Sequence, residues 1–464
     1  MKKCPNIQPA KPAIQPRTAN ELDGLIIPTH KLVAMLTRRA VLIAVAVMLF
    51  TSMVALQSVA RGAITGANHF DNLIEHREYP KLEHMLPEAK LSEIDREYFE
   101  GVLANRRNEL EKSISLLKKA VPSLKESNPK RAAVALRSLA DDYTKTFQYA
   151  EADKTYAELL GDFSKRLPNA ERQAMKDDGK TVHLLRDVPP QTVEMNGAFS
   201  ISIHQSELGT IESELSVNGV TRSWILDTGA NYSVLTESSA KAMGLKLSQE
   251  AAQTQGASGA ENPLHIAIIP ELKIGSAAVR NVVILVLPDK ALLVPMQKGK
   301  HQIEAILGYP VLSALERLTF SKDTLKVEPG GDNSGAAMYM QELNPLVECR
   351  VNGHDMLLFF DTGASSTALT ARYYDAFQKE FTNAPRKKRG VAGAGGIKYL
   401  ESFILPEVSF EIGGEKAVLK DVPVDPEPQG RDFDLLYGNL GRDVTAEFKS
   451  FTFDFKAMRF RLAK

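Results

Sequence analysis

The chain has 464 residues, of which 44% are hydrophobic and 25% are charged, as in ordinary globular proteins. This length is enough for about two to four domains. Lysine plus arginine and aspartate plus glutamate both number 57, so no basic field is present and we expect no nucleic-acid partner. The two cysteines, Cys4 and Cys349, lie far apart and predict neither a disulfide framework nor a thiolate metal site.

The N-terminal part of the chain has the pattern of an export segment. Residues 1–39 are polar and net basic, which predicts a cytoplasmic N-terminal tail. Residues 40–60 carry no charged side chain, and an uncharged run of this length can cross a membrane as a helix. Two alternatives remain open: a transmembrane signal anchor, and a signal peptide cleaved after Ser58-Val59-Ala60. The first predicts a membrane-anchored protein with the rest of the chain in the periplasm or outside the cell, and the second predicts secretion.

Residues 66–167 contain long periodic runs of polar and apolar residues, which predict helices. Small and aromatic residues recur at helical spacing in this region, at Leu136, Leu139, Ala140, Tyr143, Ala152 and Tyr156, with a poorer copy at Gly101, Ala104, Ile114 and Leu117. In the first copy, from Ala133 to Arg166, the spacing resembles a tetratricopeptide repeat, which packs two antiparallel helices. A generic helical hairpin is the alternative. The resemblance implies a packing module or a surface for a protein partner.

The pattern changes after this helical module. Residues 168–197 contain three prolines and little periodicity, so we predict a linker there. From about Phe199 onwards, short alternating runs separated by glycine turns predict an all-β remainder. The stretch at 329–343 begins with several glycines and predicts a connector between two β segments, at 198–328 and 344–464.

The two β segments repeat one plan. A hydrophobic run leads into Asp227-Thr228-Gly229 in the first segment and into Asp361-Thr362-Gly363 in the second. In both segments an Asn-Gly pair, which is a strong hairpin signal, precedes the aspartate. Each segment then contains a glycine-rich turn and, later, a hydrophobic pair before a glycine. We identify this pair and its glycine as Ile306-Leu307-Gly308 in the first segment and Leu436-Tyr437-Gly438 in the second. The repeat predicts two half-domains of common architecture.

Residues from about 199 to 464 therefore resemble the pepsin/retropepsin superfamily of aspartic peptidases, with two short lobes fused in one chain. The resemblance implies two β lobes around a cleft, in which Asp227 and Asp361 share one proton and activate a water. It also implies that four residues support the active-site loops, Thr228, Gly229, Thr362 and Gly363. The candidate flap residues, which would close over a substrate, are Gly256, Ser258, Gly259, Gly393, Gly395 and Gly396.

The sequence thus predicts an aspartic endopeptidase that acts on peptide or protein substrates and needs neither a cofactor nor a metal. Alanines 230 and 364 replace the hydroxyl residue of many pepsin-like sites, and the loss of that donor predicts activity nearer neutral pH. The basic run Arg386-Lys387-Lys388-Arg389 is expected to form a solvated loop. Two alternatives to an enzyme remain: a catalytically silent peptide-binding protein with the same lobes, and a scaffold that works through the helical module.

Overall fold

The computed structural model describes residues 66–167, 169–249, 252–255, 261–296, 299–393, 396–429 and 435–464. These residues belong to one compact unit, which extends from Thr65 to Lys464. The predicted tail at 1–39 and the predicted membrane span or signal at 40–60 lie outside the described residues. Among the helices in the described part, none is both long and apolar enough to span a bilayer.

A helical region precedes a large β-rich region, as the sequence predicts. The helices are α1 (Ala67–Glu75), α2 (Tyr79–Met85), α3 (Glu93–Arg106), α4 (Leu110–Ser127), α5 (Pro129–Lys145), α6 (Tyr149–Phe163) and α7 (Asn169–Leu185). Local signals set several of their ends. The Ser92 hydroxyl accepts a hydrogen bond from the Asp95 N–H at the start of α3, and Asn128 and Pro129 begin α5.

Helix α7 corrects the predicted linker at 168–197. It occupies most of that segment and buries Met175, Val182 and Leu185. Gly179 lies on the same side, where an added Cβ would lie 3.4 Å from the Tyr156 Cβ of α6. Gly179 therefore takes a position of the buried face where a larger apolar residue would have made the helical period visible. The rest of the segment is rich in charged residues, so the sequence pattern does not predict a helix there.

The turns after α1, α3 and α5 have the same backbone conformation. Arg77, Asn108 and Phe147 have φ values of 53°, 58° and 58°. In each turn the next N–H donates to a carbonyl five residues earlier, over 2.8 Å. Gly101 lets α3 approach α4 closely, since a Cβ there would lie 2.6 Å from Leu117 Cδ2. The helices are thus joined by a recurrent helix–turn–helix unit.

Further helices lie in the β-rich region: α8 (Glu237–Ala242), α9 (Tyr309–Ala314) and α10 (Ala371–Ala376). Its strands up to residue 328 are β1 (Thr192–Glu194), β2 (Phe199–Ser202), β3 (His204–Gln205), β4 (Ile211–Val217), β5 (Val220–Leu226), β6 (Ser233–Thr236), β7 (Ala252–Gln255), β8 (Glu261–Ile274), β9 (Ala277–Leu287), β10 (Leu293–Pro295), β11 (Lys300–Gln302), β12 (Ala305–Leu307), β13 (Arg317–Ser321) and β14 (Thr324–Glu328). The remaining strands are β15 (Ala336–Gln341), β16 (Asn344–Val351), β17 (His354–Phe360), β18 (Ala368–Leu369), β19 (Arg386–Gly393), β20 (Gly396–Ile412), β21 (Glu415–Val424), β22 (Gly438–Leu440), β23 (Ser450–Asp454) and β24 (Arg459–Ala463).

The two β segments use the same strand pairings. The first has the order β4-β5-β12-β6-β9-β8-β7, and the second has the order β16-β17-β22-β18-β21-β20-β19. In each, the short strand (β12 or β22) is parallel to one neighbour and antiparallel to the other. The hairpins that open the two segments turn at Asn218-Gly219 and Asn352-Gly353, all four with positive φ, which confirms the predicted Asn-Gly turns.

A third group of strands joins the two segments. In the order β2-β14-β13-β23-β24-β15, strands from both halves of the β-rich region pair antiparallel to one another. The strand pairings also change two predicted boundaries. Strand β1 belongs to the sheet of the first segment although it lies in the predicted linker, and β15 occupies much of the predicted connector at 329–343.

The helical region packs on both β segments. Tyr149 and Leu185 share an apolar cluster with Leu264 and Leu285 of the first sheet. At the other end of the helical region, Tyr79 is buried against Tyr339, Leu346 and Phe359 of the second segment. The helices therefore contact both segments through shared apolar clusters.

Candidate active site

Two equivalent loops begin where β5 and β17 end. The Asp227 N–H donates to the Leu307 carbonyl of β12 over 3.0 Å, and the Asp361 N–H donates to the Leu440 carbonyl of β22 over 3.1 Å. The registers agree, since Leu226 pairs with Leu307 and Phe360 with Leu440. Each aspartate is thus placed by a parallel strand pair at the same point of its own sheet.

Two buried threonines connect the loops. The Thr228 N–H donates to Thr362 Oγ1 over 2.9 Å, and the Thr362 N–H donates to Thr228 Oγ1 over 3.1 Å. Each hydroxyl then donates across the interface to a strand carbonyl, Thr228 to Phe360 over 3.0 Å and Thr362 to Leu226 over 2.7 Å. These four bonds join residues more than 130 positions apart and hold the loops in register with each other.

The two carboxylates lie against the opposite loops. A Cβ at Gly229 would lie 2.7 Å from Asp361 Oδ1, and a Cβ at Gly363 would lie 2.6 Å from Asp227 Oδ2. Any larger residue at either position would displace the facing aspartate. The glycine N–H groups each donate over 2.8 Å to Oδ1 of the aspartate in their own loop. The structure therefore brings together the six residues that the sequence singles out in these loops.

The electrostatics favour one proton shared by two carboxyl groups. Burial raises the pKa of Asp227 well above its usual value, and the negative charge of Asp361 and a hydrogen bond with it raise it further. Burial also raises the pKa of Asp361, while hydrogen bonds from Asp227, Gly363, Ala364 and Asn439 oppose that increase. These hydrogen bonds favour the anionic form of Asp361, and the two carboxyl groups titrate as a pair.

The environments of the two aspartates differ at two equivalent positions. Asn439 of β22, adjacent to Asp361, takes the place that Ile306 of β12 has beside Asp227. Arg442 follows β22 as Tyr309 follows β12, and both N–H groups donate to the alanine carbonyl of the loop. Burial lowers the pKa of the Arg442 guanidinium, and the charge of Asp361 opposes that change. A donor and a cation thus favour the anionic form of Asp361.

Asn439 also corrects a prediction. The sequence repeat identifies Leu436-Tyr437-Gly438 as the counterpart of Ile306-Leu307-Gly308, but the strand register and the Asp361–Leu440 hydrogen bond assign that place to Asn439-Leu440-Gly441. The pattern of two hydrophobic residues before a glycine does not include this triplet, because Asn439 is polar. The spacing carried the signal, since Gly308 is 81 residues after Asp227 (308−227) and Gly441 is 80 after Asp361 (441−361).

Two hairpins occupy the candidate flap positions. In the second segment β19 and β20 pair up to Gly393 and Gly396, and Arg389, Gly390 and Lys398 of this hairpin line the cavity above the aspartates. Gly395 lies outside the described residues, as do Gly256, Ser258 and Gly259. The hairpin that leads to the latter three, β7–β8, is described up to the pair Gln255–Glu261.

The basic run 386–389 forms part of a strand and not the predicted loop, although Arg386, Lys387 and Lys388 are exposed to solvent as expected. It lies in β19, and Arg389 Nη2 is 2.6 Å from Asp425 Oδ2 of the neighbouring chain segment. The Arg386 guanidinium lies over the Phe403 ring, 4.3 Å from its centroid. Two of these basic side chains therefore stabilise the hairpin that covers the cavity.

The cavity that contains the aspartates has a volume of about 1140 Å³. Its lining includes Asp227, Asp361, both loop glycines and Asn439, so the carboxylates can be reached from it. Side chains of α5, α6 and α7 also line it, including Asp141, Tyr156 and Thr181. No local pattern in the sequence indicates these helical residues, because their position depends on packing between distant parts of the chain.

Comparison with known protein families gives a match in the first β segment. Residues 213–311, which run from β4 into α9 and include Asp227, are similar to a protein family described as aspartyl protease. No curated protein matches the chain. The family match supports an aspartyl protease domain in this part of the chain, and with it a hydrolase that acts on peptides or proteins.

Proposed function

We propose that this chain is an aspartic endopeptidase in which two fused retropepsin-like lobes, 198–328 and 344–464, contribute one catalytic aspartate each. The observation that carries the proposal is the reciprocal pair of loops. Each carboxylate lies against the glycine of the opposite loop, and two threonines bond across the interface. Neither half could hold its own loop in this way, so the arrangement is the product of the pair.

In the proposed mechanism, a water bound between the carboxyl groups attacks the carbonyl carbon of the scissile bond. The Asp361 carboxylate accepts a proton from that water, while protonated Asp227 donates to the carbonyl oxygen. The tetrahedral intermediate then collapses: one of its hydroxyl groups returns a proton to Asp227 as the C=O bond re-forms, the C–N bond breaks, and the proton held by Asp361 is transferred to the leaving amine. The roles follow from the surroundings, because Asn439 and Arg442 favour the anion at Asp361.

Three further assignments belong to the proposal. The helical region is a tetratricopeptide-like module, supported by the recurrent turn after α1, α3 and α5. The β19–β20 hairpin acts as a flap, supported by its position at the cavity. Residues 40–60 export the β-rich region, either as an anchor or as a cleaved signal, which is supported by their uncharged composition alone.

The experiment that tests the proposal is incubation of the purified chain with a mixed peptide library, followed by mass spectrometry of the products. We expect cleavage within the peptides, and we expect Asp227→Asn and Asp361→Asn each to reduce the rate by about 10²–10⁴-fold. Pepstatin inhibition would add support. The matched control is Asp355→Asn, on the strand that leads into Asp361 but exposed and paired with Arg350.

Retention of cleavage by Asp227→Asn would overturn the proposal. Peptide binding without any cleavage by the unmodified chain would instead identify a catalytically silent binding protein.

A further inference from the structure

The helical region supplies one wall of the cavity that contains the two aspartates. Thr144 of α5, Tyr156 of α6, and Thr181 and Val182 of α7 line the same cavity as Asp227 and Asp361. The rest of the lining comes from the β-rich region and includes the two loops and the β19–β20 hairpin. The cavity is thus formed jointly by the helices and both β segments.

This wall is held firmly against both β segments. Arg137 of α5 donates through Nε to Glu342 Oε1 over 3.1 Å, and Tyr79 Oη donates to Gln341 Oε1 over 2.7 Å. Gln191, which follows α7 in the chain, donates through its side chain to the Pro310 carbonyl over 2.8 Å and holds the exit from α7 against the first β segment. Together with the shared apolar clusters, these contacts fix the wall relative to the aspartates.

We propose that this helical wall is part of the substrate-binding cleft and contacts the peptide several residues from the scissile bond. The inference rests on the proposed endopeptidase function and adds a specificity determinant to it. An extended chain advances about 3.3 Å per residue, so a peptide held at the aspartates reaches the wall within a few residues. A long peptide would therefore gain contacts that a short one cannot make.

The wall also has a defined charge. Asp141 and Asp178 line the cavity on the helical side, and Glu342 lines it as well. Lys145 pairs with Asp141 and Arg137 with Glu342, and neither of these two cations is among the lining residues. A substrate side chain at the wall therefore meets carboxylates and the Tyr156 phenol. We expect basic side chains to be preferred over acidic ones at these positions.

The test compares libraries of tetradecapeptides and hexapeptides with the full chain and with Thr181→Trp, which fills the cavity side of α7. We expect Thr181→Trp to reduce kcat/KM for the long peptides by about tenfold, mainly through KM, because uniform binding is lost. Short peptides should be cleaved as before. Lys180→Trp is the matched control, since the neighbouring Lys180 side chain is 62% exposed.

A second variant, Asp178→Asn, tests the charge of the wall without adding bulk. We expect it to reduce the preference for basic over acidic residues in the tetradecapeptides by at least about threefold. Thermal unfolding shows whether Thr181→Trp folds. If it does not, Asp178→Asn still tests whether the wall contacts the substrate. An equal loss of kcat/KM for long and short peptides, or no change with either variant, would overturn the proposal that the helical wall contacts the substrate.

A binding measurement separates this inference from the proposed function. Fluorescence anisotropy of the two labelled libraries, with Asp227→Asn as the protein, reports on the wall without requiring cleavage. We expect Thr181→Trp in this background to weaken only the binding of tetradecapeptides. If the unmodified chain cleaves no peptide, the endopeptidase proposal fails. The difference in binding between long and short peptides then still decides whether the helical wall contacts a bound peptide.

Discussion

Asp227 and Asp361 end equivalent strands, yet their immediate neighbours differ in charge and hydrogen bonding. Asp361 has an amide and a guanidinium nearby, whereas the corresponding positions beside Asp227 are occupied by Ile306 and Tyr309. Backbone symmetry places the two carboxylates against each other, and side-chain asymmetry favours the anion at Asp361. Predictions about proton transfer therefore belong to single residues.

The first prediction concerns the pH dependence of cleavage. Burial raises the pKa values of both aspartates above the usual 3.8, so both are protonated in strongly acid solution and no base is available. We expect kcat/KM to rise as the pH increases through the lower pKa of the pair and to fall when the second proton is lost. A pH–rate profile with its maximum below pH 3 would contradict this.

The second prediction concerns Asn439. Asn439→Leu removes the hydrogen bond that lowers the pKa of Asp361, so the acid limb of the pH–rate profile should move to higher pH. The reciprocal variant Ile306→Asn places a donor beside Asp227 and should reduce the difference between the two carboxyl groups. The profiles of both variants check this, and an unchanged acid limb in Asn439→Leu would show that the amide has no such role.

The third prediction concerns the bonds between the loops. Thr362→Val leaves the buried Thr228 N–H and the Leu226 carbonyl without their partner, which should cost about 1–3 kcal/mol of unfolding free energy. It should also lower kcat, because the loops lose their common register. Urea unfolding and steady-state kinetics measure the two effects. Thr319→Val, which removes a 2.9 Å threonine pair with Thr452 away from the cavity, should leave kcat unchanged.

At the scale of elements, helices α3, α4 and α5 enclose a buried polar network. Asn105 donates to Asp142 Oδ1 over 2.7 Å, and the Ser113 hydroxyl lies 2.6 Å from Asp142 Oδ2 and 2.9 Å from the Gly101 carbonyl. One hydroxyl proton cannot serve both acceptors. A protonated Asp142 resolves this, since it donates to Ser113 while Ser113 donates to Gly101.

Burial raises the pKa of Asp142 to about 7, and the charge of Asp141 adds to that increase. The unfolded chain loses this proton near pH 3.8 while the folded chain keeps it to about pH 7, so this group lowers the unfolding free energy as the pH rises between those values.

The fourth prediction follows from that network. In Asp142→Asn, the amide can donate to Ser113 and its oxygen can accept from Asn105, so the variant reproduces the protonated state at every pH. We expect the variant to be more stable than the unmodified chain at pH 8 and to show a weaker pH dependence between about pH 4 and 7. Thermal unfolding of both proteins between about pH 4 and 8 measures the two effects. Lower stability of the variant at pH 8 would mean that the carboxylate is needed, and Asp142→Leu should destabilise at every pH.

At the scale of the whole molecule, the helices and both β segments share apolar clusters and a joint cavity. Removing the helical region would expose buried residues of both segments, including Leu264 and Phe359. The helices are therefore structural for the β-rich region as well as a candidate wall for its substrate.

The fifth prediction is that the described unit unfolds as one. Trp224 is the only tryptophan of the chain and is fully buried beside the first loop, so its fluorescence reports on the first β segment. Circular dichroism at 222 nm reports mainly on the helices. We expect the two urea transitions to coincide. A helical transition at lower urea, with unchanged fluorescence, would show that the helical region is an independent domain.

The sequence alone was enough to indicate the two Asp-Thr-Gly loops, the Asn-Gly hairpins before them and the change from helical to β-rich architecture. These features depend on residues close together in the chain, whose backbone preferences and hydrophobic periods are visible in one dimension. It misjudged α7, because a glycine interrupts the apolar face, and it missed Asn439, because a polar residue occupies a strand position that is hydrophobic in the other segment. Only the tertiary structure decided which residues surround the aspartates and that helices form a wall of their cavity. Those contacts join positions far apart in the chain, so they are set by packing between elements.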